Sequence, residues 1–142
     1  MSVNHSDPYK HYLENQVDSA GAAELLLMLY SGALNFLRRA RIAVENNEVQ
    51  EANNLIGRVQ DIIVELMGSL DIESGELALK LFNLYEYMHR QLVQANLKKE
   101  VSYLDEVESM ISSLKYSWEE SQVGAEETVK LKKYTEIIDR EC

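Results

Sequence analysis

Beyond Pro8 the chain contains no proline, and from about residue 22 onward its apolar side chains return at steps of three and four. That is the spacing of one face of an α-helix. A proline would break the backbone ladder wherever it fell, so the combination admits long uninterrupted helices and little else. No sustained period-two segment suggests a strand.

The first helix is predicted over about Ala22 to Val44, with Gly21 in the cap position and Glu24 completing a weak capping box. Leu25, Leu26, Met28, Leu29, Phe36 and Leu37 surround much of it, which predicts burial on several faces. Gly32 and Ala33 would let a neighbouring backbone approach closely. After ENNEV, a second helix is predicted over about Val49 to Leu70, with a stripe of Ala52, Leu55, Val59, Ile62, Ile63, Leu66 and Leu70. DIESG reads as a turn. A third helix follows over about Glu76 to Leu97, striped by Leu77, Leu81, Leu84, Tyr85, Met88, Leu92 and Ala95. KKEV is a tight link to a fourth, about Val101 to Ser121, carrying Leu104, Val107, Ile111, Leu114 and Trp118.

Helices of about 20 residues are about 30 Å long. Four of similar length with short links predict an all-α fold, an antiparallel up-down four-helix bundle. Residues 1–20 read as an N-terminal arm packing on the bundle, 21–121 as the bundle, and 122–142 as a C-terminal extension. In that extension Val129, Leu131, Tyr134, Ile137 and Ile138 are spaced for a short fifth helix.

At 142 residues one domain can bury a core without disulfides or metal. A formal net charge of −10 argues against nucleic acid, whose phosphates need clustered Lys and Arg. It argues equally against docking on an anionic membrane surface. The sole cysteine, Cys142, cannot form an internal disulfide and suits a reducing compartment. The N-terminus has no basic segment leading into an apolar core. The longest nearly uncharged apolar run, Leu25 to Leu37, is shorter than the roughly 20 residues a membrane span requires. The expectation is a cytoplasmic protein that meets other proteins, with no nucleic acid and no membrane insertion.

Four-helix bundles often house di-iron centres, built from two Glu-x-x-His tetrads and two further inward Glu residues. Only EYMH, Glu86 to His89, fits; His5 and His11 lie in the arm and cannot supply the second tetrad. There is no glycine-rich phosphate loop, nucleophile elbow or paired-cysteine motif. The reading is therefore no enzyme, no cofactor and no metal. The tyrosines remain open at this level. Tyr30 and Tyr85 fall on helical stripes and are either core or groove-lining. Tyr9 and Tyr12 precede the bundle and either anchor the arm or occupy a groove that a partner also uses.

The ordered segments YLENQV, ELLLMLYSGALNFLRRA, RVQDIIVELMGSLD, LFNLYEYMHRQLVQANLKKE and EVESMISSLKYSWEE resemble the flagellar secretion chaperones of the FliS type. LMLYSGAL and LYEYMHRQLVQAN are the most specific. The resemblance covers about Tyr12 to Glu120. Two departures stand out: Gly21 and Ala22 replace the family's Ser-Pro at the start of the first helix, and Ser31 replaces an acidic or amide residue.

The resemblance implies a client, the poorly ordered C-terminal segment of flagellin, wrapped around the bundle in an extended path with short helical stretches. It also implies delivery of the cargo to an export-gate component of the flagellar secretion apparatus. The arm, through Tyr12, Val17 and the neighbouring Tyr9, is expected to lie over part of the groove as a lid. Leu26, Tyr30 and Leu37 of the first helix, with Ile56 and Ile63 of the second, are the candidate groove residues, though each position is also compatible with core packing. The alternative is an adaptor bundle for another amphipathic helical partner. Self-association through an exposed apolar groove is a further expectation.

Overall fold

The computed structural model describes residues 21–122, which form four long helices. α1 is Gly21–Glu45, α2 Val49–Gly68, α3 Glu76–Lys98 and α4 Val101–Gln122, with a short 3₁₀ turn at Ile72–Ser74 between α2 and α3. The six helix ends that fall inside the described residues, from Glu45 to Val101, each lie within two residues of the sequence expectation. One local detail differs: Gly21 is itself helical rather than a cap. The arm and the predicted fifth helix lie outside the described residues.

Each helix packs against the next in the chain, and α4 closes back on α1, giving a ring of four around one core. Links of two to seven residues between packed neighbours make each pair antiparallel. The predicted stripes are the inward arcs. On α2, Ala52, Leu55, Val59, Ile62, Ile63 and Leu66 are all buried. On α3 the same holds for Leu81, Leu84, Tyr85, Met88, Leu92 and Ala95. Burying one such aliphatic side chain stabilises the fold by about 1.5–3 kcal/mol relative to leaving it exposed.

The helix ends are fixed by local chemistry. Asn47 closes α1 in the left-handed conformation at φ 59°. The Glu48 amide donates to the Ala43 carbonyl and the Asn47 amide to that of Val44, the paired bonds of a Schellman ending. α2 stops two residues before Leu70, because the Ser69 hydroxyl donates to the Leu66 carbonyl at 2.8 Å. Asp71 then accepts the Glu73 amide to start the 3₁₀ turn. Gly75 enters α3 at φ 147° and ψ −176°, a region essentially reserved for glycine. α3 ends on a left-handed Lys99, whose amide reaches the Ala95 carbonyl at 2.7 Å.

α1 departs from the expectation of burial all round. Its inward arc is Leu25, Leu29, Tyr30, Ala33, Leu34, Leu37, Ala40 and Ala43, whereas Met28 is 58% exposed on the opposite side. Ala33 is buried, but the approach at Gly32 is not especially tight. A Cβ there would meet Ile62 Cδ1 at 3.7 Å, an ordinary van der Waals contact.

Candidate partner-binding surface

Five of the predicted groove residues fall among the described positions, and four of these are interior. Tyr30, Ile56 and Ile63 are wholly buried and Leu37 almost so. The groove assignment for these four is corrected: each lies on the arc its helix turns to the core, so none faces a client in this conformation. Leu26 alone is half-buried, packed on the edge of the core. Tyr9, Tyr12 and Val17 lie outside the described residues.

Tyr30 and Tyr85 resolve as core. Their hydroxyls meet at 2.7 Å in the interior, joining α1 to α3, which stand diagonally across the ring. Burial first, and then the neighbouring Tyr30, push the Tyr85 hydroxyl well above its ordinary pKa, and one of the two hydroxyls donates to the other.

Two seams between helices carry polar crosslinks. Along α1–α4, Arg41 grips Asp105 with two bonds of 3.0 and 2.6 Å, and Arg38 reaches Glu108 at 3.2 Å. The hydrogen bond and charge of Asp105 raise the Arg41 pKa. Along α3–α4, Glu106 accepts from both Tyr87 and Gln91, and the bond to Glu106 raises the Tyr87 pKa.

The α1–α2 seam is different. Met28, Gly32 and Phe36 follow one another at steps of four on α1, the rows that line up along a helix surface. Arg39 of α1 and Arg58 of α2 both stack over the Phe36 ring, their Cζ atoms 5.6 and 5.7 Å from its centroid. Further large apolar groups stand out elsewhere, among them Val64 and Leu79, with Leu97 the most exposed at 74%. Sequence reasoning missed Arg39 and Arg58 because net charge hides local sign. The RRAR run in α1 was the available signal.

Glu86 of the lone Glu-x-x-His tetrad is exposed and lies 3.7 Å from Arg90, while His89 is half-buried. No group of three or more His, Cys, Asp or Glu among the described residues could hold a metal ion. No described helix is long and apolar enough to cross a membrane.

A closed core, with single methionine, leucine and valine side chains left outside, defines the class, an all-α four-helix bundle. The chain belongs to the FliS family: the family model described as Flagellar protein FliS matches residues 5–126. The flagellar secretion chaperone FliS of Bacillus subtilis is 38% identical over 115 residues, covering 81% of this chain and 86% of the relative. FliSB of Pseudomonas aeruginosa, also a flagellar secretion chaperone, is 41% identical over 108 residues, 75% of this chain and 86% of its own. FliS of Salmonella typhimurium is 36% identical over 110 residues, with 76% and 82% covered.

Proposed function

We propose that the protein is a flagellar export chaperone that holds the C-terminal segment of flagellin, keeps it from polymerising in the cytoplasm and presents it to the flagellar export apparatus. The observation that carries this reading is a surplus of apolar surface. The core is complete without Met28, Val64, Leu79 or Leu97, yet these side chains stand roughly half exposed or more. A bundle of this kind binds by taking the apolar face of a partner segment into the shallow seams between its helices. The client orders as it binds, so much of the gain from burial is offset by its lost freedom, and release stays accessible. No nucleotide or cofactor enters the cycle.

Delivery follows if chaperone and cargo together form the surface that the export gate reads. The leading arm, with Tyr9, Tyr12 and Val17, serves as a self-ligand on the client face, so removal of residues 1 to 17 speeds client association.

Titration calorimetry with a synthetic flagellin C-terminal peptide, against a scrambled peptide of the same composition, tests the reading. Binding of the native order alone supports it. Equal binding of both peptides favours the adaptor alternative, and binding of neither discards flagellin as client.

A further inference from the structure

Five arginines lie among the described residues, and three of them have a carboxylate partner: Arg38 with Glu108, Arg41 with Asp105, and Arg90 with Glu86. The two without an ion pair among the described residues, Arg39 and Arg58, are the two that converge on Phe36. Both are exposed. Two guanidiniums drawn to one ring repel each other, and a cation–π contact at an exposed site offsets that only weakly. A carboxylate set between them would relieve the repulsion and accept from both, the geometry for which arginine is best suited. In a chain of net charge −10, a free cationic pair on an apolar seam is the local exception to the general field.

The neighbouring surface gives the site a second element. One turn before Phe36, half-buried Gly32 faces Ile62 of α2, whose Cδ1 lies 3.7 Å from where a Cβ would stand. Met28 stands one further turn back on the same row of α1 and is exposed. An apolar client side chain can pack on Met28 while an acidic one two turns away, roughly 11 Å along a helix, reaches the guanidiniums.

We infer that the α1–α2 seam is a two-part clamp for the client, with Arg39 and Arg58 over Phe36 taking an Asp or Glu side chain and exposed Met28 taking an apolar one beside it. This rests on the flagellin reading above and names the chemistry by which the client is held. Electrostatic pairing of this kind sets registration and association rate as well as affinity.

The test uses the full-length chain and two peptides, the native flagellin C-terminal sequence and the same sequence with Asp and Glu replaced by Asn and Gln. The double variant Arg39→Gln/Arg58→Gln should bind the native peptide about tenfold more weakly than the parent, with the difference shrinking at high salt. Parent and double variant should bind the amide peptide alike. Unchanged affinity in the double variant overturns the clamp and leaves the flagellin reading standing. So does an equal loss with both peptides, which would assign the arginines to packing. Failure of the parent to bind the native peptide removes both proposals together.

Discussion

One polar contact buried in the bundle is the bond between the Tyr30 and Tyr85 hydroxyls. A buried hydroxyl without a partner costs about 1–3 kcal/mol. Tyr30→Phe strands the Tyr85 hydroxyl, and chemical denaturation should show a loss of that order. The double Phe variant should lose less than the two single losses combined, because it leaves neither hydroxyl stranded. Ile63 offers a sharper check on the distinction between groove and core. Its side chain is wholly enclosed, so Ile63→Ala should cost about 2–5 kcal/mol of stability, measured by urea unfolding. A loss of client affinity at unchanged stability would restore it to the binding surface. Periodicity could not have separated these cases. It ranks positions by face, and on α1 the arc holding Tyr30 and Leu37 is contiguous with half-buried Leu26, so only the packed neighbours decide which of them is sealed. The arginine pair was harder still to see, since Arg58 meets Phe36 only once α2 has folded back on α1.

At the scale of the helices, most of the fold could be read in advance, for a physical reason. Apolar stripes at alternating steps of three and four, with no proline to interrupt them, leave one secondary structure open, and links of a few residues leave one packing order. The ends were less legible because they depend on small bonds: the Ser69 hydroxyl stops α2 short of Leu70, and nothing in hydrophobic spacing encodes that. Gly75 illustrates the same dependence. Its φ of 147° is closed to residues with a Cβ, although there is free space around it. Gly75→Ala should therefore destabilise the bundle by about 1–3 kcal/mol through backbone strain alone, read as a fall in the urea midpoint at constant slope. An unchanged midpoint would show that the turn relaxes into another path.

For the molecule as a whole, buried Tyr85 sets an alkaline limit. Tyr85 ionises near 10 in the unfolded chain and well above that in the fold, where burial is the chief cause. A group whose folded pKa is raised contributes its stabilisation fully below the unfolded value and loses it as pH climbs toward the folded one. The Tyr85 contribution to the unfolding free energy should hold steady up to about pH 10 and decline beyond it. The Tyr30→Phe/Tyr85→Phe variant should decline less steeply over the same range, which denaturant titrations across that interval would measure.

The ring order of the helices carries one more consequence. Every packed pair except α4 with α1 consists of chain neighbours, and residues 21–122 contain no proline to impose a slow isomerisation. Helical domains with such local wiring regain their shape in microseconds to milliseconds, a prediction that temperature-jump fluorescence of Trp118 can check. A ribosome takes roughly 50–200 ms to add one residue. A flagellar export chaperone distorted as it lets go of its cargo would be whole again before a nascent chain had grown by a single amino acid.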